Sequence, residues 1–201
     1  TMEDMDRIDT FIKTAKPRHA VVVGASFIGL EAVEALVRRG LKVKLIEQSP
    51  CAMPILDPEF SLQVQESLLA SGIEILTDTK VTSIGNQHHG MTIQSMRSTG
   101  NEPTETQSRD LHAELIILAT GVRPNTALAL DCGLEIGHTG GLVVNRHLQT
   151  SHDSDIYVAG DLAEVPFRSD RLAVRMPLAS PIPIRESPAP GCSGFLITRS
   201  P

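Results

Sequence analysis

Ala20 to Glu31 read AVVVGASFIGLE. Three β-branched residues, Val21, Val22 and Val23, run into Gly24, and helical periodicity sets in from Ile28. A strand, a tight turn and a helix in this order open a βαβ unit. The turn, Gly24-Ala25-Ser26-Phe27-Ile28-Gly29, is a G-x-S-x-x-G form of the dinucleotide pattern G-x-G-x-x-G. In that pattern the first glycine turns the chain out of the strand, the middle one lets amides approach a pyrophosphate, and the third lets the helix pack on the strand. Ser26 adds only a small side chain at the middle position, and its hydroxyl can itself donate to phosphate. The free amides and the positive end of the helix macrodipole make an anion site. The same spelling also fits a tight bend that holds no ligand, so the next strand has to decide.

That strand is Leu41 to Glu47, LKVKLIE, reached through a helix with Arg38 and Arg39 in its last turn and Gly40 at its end. The helix is predicted to face its core with Ile28, Ala32, Ala35 and Leu36. Glu47 lies 23 residues after Gly24, near the ~20 expected of the acid that binds an adenosine ribose. A solvated strand end is the alternative. Gln48, Ser49 and Pro50 follow, with no arginine to receive a 2′-phosphate, so the sequence favours NADH over NADPH.

The 201 residues suffice for a sizeable core, and with 3% aromatic residues and no tryptophan that core must be aliphatic, as in parallel α/β sheets. A net charge of -6 gives no electrostatic reason to expect nucleic acid or an anionic membrane as partner. The first residues, TMEDMDRIDTF, are acidic and polar, unlike a signal peptide, and no apolar run approaches a membrane span, so a cytoplasmic protein is expected. Cys51, Cys132 and Cys192 are far apart and odd in number, which suggests neither a disulfide framework, nor a local redox dithiol, nor a zinc site. His88 and His89 read as a solvated turn, because no third ligand lies at a suggestive spacing.

Met5 to Lys16 has a helical apolar pattern stopped by Pro17, and Asp57-Pro58-Glu59 is a capped helix start from which Phe60, Val64, Leu68 and Leu69 are expected to face inward. After a third strand at Ile73 to Leu76, short β-ribbons are expected over Val81 to Ile84, Met91 to Met96 and the polar stretch to Arg109. ELIILA, Glu114 to Ala119, is a buried strand ending in the small-residue turn at Thr120-Gly121. IYVA, Ile156 to Ala159, ends in Gly160-Asp161, where a carboxylate can accept bonds from polyol hydroxyls, or simply cap a turn. From Pro177 the many prolines predict an irregular tail.

Taken together, VVVGASFIGLE, AELIILATGVRPNTALA, GLEIGHTGGLVVNRHLQTS and DIYVAGDLAEV resemble, in order, four motifs of the pyridine nucleotide-disulfide oxidoreductase family. LDPEF and MPLASP are most similar to its NADH oxidase and coenzyme A-disulfide reductase branch, while GASFIGLE is similar also to the apoptosis-inducing-factor-like and nitrite-reductase-associated branches. The resemblance implies an α/β, Rossmann-like three-layer nucleotide-binding domain with a parallel sheet and a β-meander, plus a remnant of an FAD domain. It implies a lead-in over residues 1–18, an NADH-binding domain over 19–145, a partial FAD segment over 146–180 and an irregular tail over 181–201. It places Gly24, Ser26 and Gly29 around the NADH pyrophosphate, with Ala25 and Ile28 in the same cofactor-binding turn, and Glu47 on the adenosine ribose. Phe27 matches an aromatic position over the flavin, with packing beneath the helix as the alternative. Glu31 matches an acid near the nicotinamide, or is a charge stabilised by the helix dipole. Gly121 would line the cofactor cleft, with Gly160 and Asp161 at the flavin ribityl chain.

The family's flavin fingerprint and redox-active cysteine have no counterpart in these 201 residues. The expectation is a central portion of a flavoprotein that binds NADH without turnover by itself. FAD, and a homodimer where the family forms one, would belong to the complete parent. A non-catalytic nucleotide-binding or interaction module is the competing expectation.

Overall fold

The computed structural model describes residues 2–87, 90–98, 106–166, 173–174 and 195–198. His88, His89 and most of the expected irregular tail lie outside them. The chain divides into two compact units, Thr1–Gly121 and Val122–Pro201.

The first unit opens with helix α1, Met2–Ala15, longer than the predicted helix because Glu3 and Asp4 place acids in its first turn. Lys16, at φ 49°, and Pro17 end it. Strands β1 (His19–Val23), β2 (Lys42–Ile46), β3 (Glu74–Leu76) and β7 (Leu115–Leu118) form one parallel sheet in the order β3-β2-β1-β7. Between β3 and β7 the chain makes an antiparallel meander of β4 (Thr79–Gln87), β5 (Gly90–Ser98) and β6 (Thr106–Ala113), with a bulge between Val81 and Ser83.

Alternation along β1 and β2 sorts the core into two faces. Ala20, Val22, Val43 and Leu45 pack with Val33 and Leu36 of helix α2 (Phe27–Arg38). Val21, Val23 and Ile46 point the other way and pack with Ile93 of β5 and Ala113 of β6. Helices, parallel sheet and meander are thus three layers, and a strand buried on both faces is why the valine run is continuous rather than alternating. Glu114 secures the base of β1: its carboxylate accepts Arg18 N–H at 2.7 Å and His19 N–H at 2.9 Å. Those two amides lead the effects that hold its pKa below the usual carboxylate value.

Two helix faces differ from expectation. In α2 the fully buried positions are Gly29, Val33 and Leu36, and Ile28 is exposed, because the glycine rather than its neighbour faces the strand. In α3 (Pro58–Ala70) Val64 and Leu68 face inward, but Phe60 and Leu69 are exposed. Ser61 takes the inward place, its hydroxyl donating to the Met53 carbonyl at 3.0 Å.

The second unit has its own core, in which Ala129 of α4 (Ala127–Asp131), Leu134 and Val144 pack with Leu142 of β8 (Leu142–Val143), Val158 of β9 (Ile156–Ala159) and Ala163 of β10 (Ala163–Pro166). The division between the two compact units falls after Gly121. β10 runs parallel to β8 and antiparallel to β11 (Ala173–Val174). Within the stretch expected to be irregular, the apolar run of β12 (Phe195–Thr198) forms a strand parallel to β9. No helix among the described residues is long and apolar enough to cross a membrane.

Candidate functional site

In the first unit the strand order reverses direction at β1, between β2 and β7, and open parallel sheets bind ligands outside the carboxyl ends of their strands at such a point. A cleft of about 520 Å³ lies there. Its floor is Val23 and Gly24 at the end of β1, residues 46–48 at the end of β2 and residues 118–121 at the end of β7; residues 79–84 of β4 form a side wall.

The turn at the cleft is tied down from several directions. Gly24 N–H donates to the Ile46 carbonyl at 2.8 Å, Met53 N–H donates to the Ala25 carbonyl at 2.8 Å, and Ala119 N–H donates to the Val23 carbonyl at 2.7 Å. Gly24 has φ +102°, and a Cβ there would lie 2.3 Å from the Ala119 carbonyl oxygen. A Cβ on Gly29 would lie 1.9 Å from the Gly24 carbonyl oxygen. The two glycines therefore do what the pattern requires: one permits the turn, the other the contact of helix with strand. The first helical bond of α2 is Leu30 N–H to the Ser26 carbonyl at 2.9 Å, so the amides of Phe27, Ile28 and Gly29 precede the intrahelical ladder. Ser26 makes no side-chain cap bond, which leaves its hydroxyl available beside those amides. This is the donor set that a diphosphate needs.

Glu47 is nearly buried, at 7% exposure. Its Oε2 accepts Ala25 N–H at 2.7 Å and its Oε1 accepts Ser49 N–H at 2.8 Å. The carboxylate is thereby held in one orientation at the edge of the cleft, with lone pairs to spare for hydroxyls. Gly24, Ser26, Glu47 and Gly121, the last at φ +120°, line this cleft together. Ala25 is fully buried and contributes its backbone. Phe27 and Ile28, 40% and 53% exposed, and the exposed Glu31 lie on the first turn and a half of α2.

Gly160 and Asp161 belong to the second unit. Gly160 has φ +71° and starts the single 3-10 turn Gly160–Leu162, and Asp161 is half-buried with no partner among the described residues. Sequence reasoning passes over Glu164, which is 2% exposed and lies under the Gly137–Gly141 loop. It accepts the Thr139 N–H at 2.9 Å and the Thr139 hydroxyl, and His138 Nδ1 stands 3.0 Å away. Burial pushes its pKa up, but the Thr139 hydroxyl and amide, the His138 charge and the Gly141 amide outweigh it and hold the carboxyl below its ordinary value. The wall residues 79–84 likewise read only as ribbon; nothing local in the sequence says that β4 leaves the sheet beside Glu47. Among the described residues no cluster of His, Cys, Asp and Glu is suited to hold a metal ion.

The family model for pyridine nucleotide-disulphide oxidoreductases matches residues 1–180. The chain belongs to this family. Among its pyridine nucleotide-disulphide oxidoreductase relatives, the NAD(P)H sulfur oxidoreductase (CoA-dependent) of Pyrococcus abyssi is 32% identical over 183 residues, covering 89% of this chain and 37% of the relative. The nitrite reductase (NADH) large subunit of Escherichia coli is 31% identical over 168 residues, 81% of this chain and 18% of that protein. The solved structure of a NAD-dependent persulfide reductase from A. fulgidus superimposes with a TM-score of 0.76 at 30% identity, covering 89% of this chain and 31% of that one. The chain thus spans well under half the length of these relatives.

Proposed function

We propose that this chain is the NADH-binding portion of an FAD-dependent oxidoreductase that passes hydride from NADH to flavin and on to a disulfide, oxygen or peroxide acceptor. The observation that carries the reading is the cleft at the carboxyl ends of β1, β2 and β7, where free amides of α2 and the fixed Glu47 carboxylate offer a diphosphate site and a ribose site together. The Ser26 hydroxyl and the amides of Phe27, Ile28 and Gly29 hold the pyrophosphate, and Gly24 permits its approach. Ala25, whose N–H and carbonyl are taken by Glu47 and Met53, fixes the Glu47 carboxylate. Glu47 accepts from the adenosine ribose hydroxyls, and Gly121 keeps the far side of the cleft open. Phe27, assigned to the flavin face, and Glu31, assigned to the nicotinamide side, are both exposed on α2. Gly160 and Asp161 fit a flavin: even a Cβ on the glycine would meet nothing within 4 Å, and the aspartate beside it has no partner among the described residues. When bound, FAD supplies the hydride acceptor; the chain's own residues bind, orient and hold the nucleotide.

The family membership and the sulfur-directed names of two of the relatives above support this class of activity. The nitrite reductase relative supports an NADH:acceptor reductase as the alternative branch. The polypeptide of 201 residues is proposed to bind NADH without oxidising it, in the cytoplasm. Calorimetric titration with NADH tests the binding, and absence of heat at millimolar nucleotide would reject it. Loss of NADH absorbance on incubation with the protein alone would reject the absence of turnover. A nucleotide-binding interaction module is a second reading, favoured by Ile55, Phe60, Leu62 and Leu69, exposed apolar side chains on and just before α3. A stable NAD-bound monomer that takes up no flavin would select it.

A further inference from the structure

The cleft carries two charged side chains of opposite sign. Glu47 is the anion, and Lys80 is the one cation among the described residues that line it. Lys80 reaches this place through the backbone: Thr79 N–H donates to the Glu47 carbonyl at 2.9 Å, so β4 departs from the end of β2 one residue before the lysine. Thr79 is buried and Lys80 exposed, as alternation along a strand requires. Lys44, on β2, is paired with Glu74 at 2.8 Å, whereas Lys80 has no ion pair among the described residues. Glu47 itself is less repulsive to an incoming phosphate than a bare carboxylate, because two backbone N–H dipoles point at its oxygens.

A carboxylate at the end of the second strand ordinarily selects against a 2′-phosphate, and the cation that reverses this selection is looked for close by on the chain. Gln48, Ser49 and Pro50 supply none. We infer that Lys80, from the meander instead, provides the counter-charge for the 2′-phosphate of NADPH, so that the cleft accepts NADPH as well as NADH. The inference rests on the nucleotide-binding reading of the cleft, and it makes Lys80 a specificity-determining residue that does not touch the reacting atoms.

The test is calorimetric titration of the whole 201-residue chain, wild type, Lys80→Met and Lys80→Arg, with NADH and with NADPH at low and at raised salt. The wild type is expected to bind NADPH within about tenfold of NADH. Lys80→Met should weaken NADPH roughly tenfold, the size of a lost charge-assisted bond at an exposed site, while NADH stays within about twofold. Lys80→Arg should retain NADPH binding, and raised salt should weaken NADPH more than NADH. A wild type that binds NADH but not NADPH overturns the inference and leaves the nucleotide site standing. Equal losses for both nucleotides in Lys80→Met, or no loss for either, also overturn it. Failure of the wild type to bind NADH removes both readings.

Discussion

Replacing Gly29 by alanine sets two effects of opposite sign against each other. Alanine is the better helix former, and in an unstrained helical position the exchange stabilises by up to about 1 kcal/mol. At Gly29 the new Cβ would stand 1.9 Å from the Gly24 carbonyl oxygen. Relieving it to 3.0 Å requires a shift of about 1.1 Å, and the obstructing atom is backbone in a turn fixed by hydrogen bonds to Ile46, Glu47 and Met53. Overpacking of this kind costs about 1–3 kcal/mol, so the clash outweighs the propensity gain. The first turn of α2 must retreat, and with it the amides of Phe27, Ile28 and Gly29 leave the place proposed for the diphosphate. Two charge-assisted bonds at about 1.5–3 kcal/mol each predict a fall in NADH affinity of at least about a hundredfold. Thermal unfolding with and without NADH, together with calorimetric titration, reads both effects. A Gly29→Ala protein that melts no lower than wild type and binds NADH equally well would refute the account of the turn.

Other expected outcomes follow from the same geometry. Glu47→Ala leaves the Ala25 N–H without its acceptor in a buried place, at a cost of about 1–3 kcal/mol in urea unfolding, and weakens NADH binding in the same titration. Leu45→Ala, at a fully buried position in the core against α2, should lower unfolding stability by about 2–5 kcal/mol without altering the cleft residues. Glu164 has a depressed folded pKa, so its contribution is present above the unfolded value near 4.5 and is lost as pH falls through the lower folded value. Denaturant titrations at a series of acidic pH values should show this loss in wild type and a flatter profile in Glu164→Gln; identical slopes would remove the assigned role.

The sheet is legible in the sequence because its signals are strong and local: Val21 to Val23 before Gly24, and Glu47 at the right distance beyond. The steric roles of Gly24 and Gly29 follow from the pattern, and the structure supplies the atoms that enforce them. Helix faces are less legible. Ser61 is an inward residue by virtue of one hydrogen bond to Met53, and no hydrophobic pattern marks a serine as core, so periodicity points to Phe60 and Leu69 in its stead. Glu164 and Lys80 escape for another reason. Each acquires its place from a partner far off in sequence, the loop before β8 for one and the end of β2 for the other, and a motif reports only its own neighbourhood.

Strand β7 pairs with β1 in the register Ala20 to Leu115, about 95 residues apart, after the whole meander has intervened. The part of the cleft floor at residues 118–121 cannot stand beside Gly24 until that distant pairing is made. Long-range pairing of this kind is slow to form. The cleft is therefore complete only once that pairing is made, and the nucleotide binding proposed for it is expected to appear on refolding no earlier than the β1–β7 pairing.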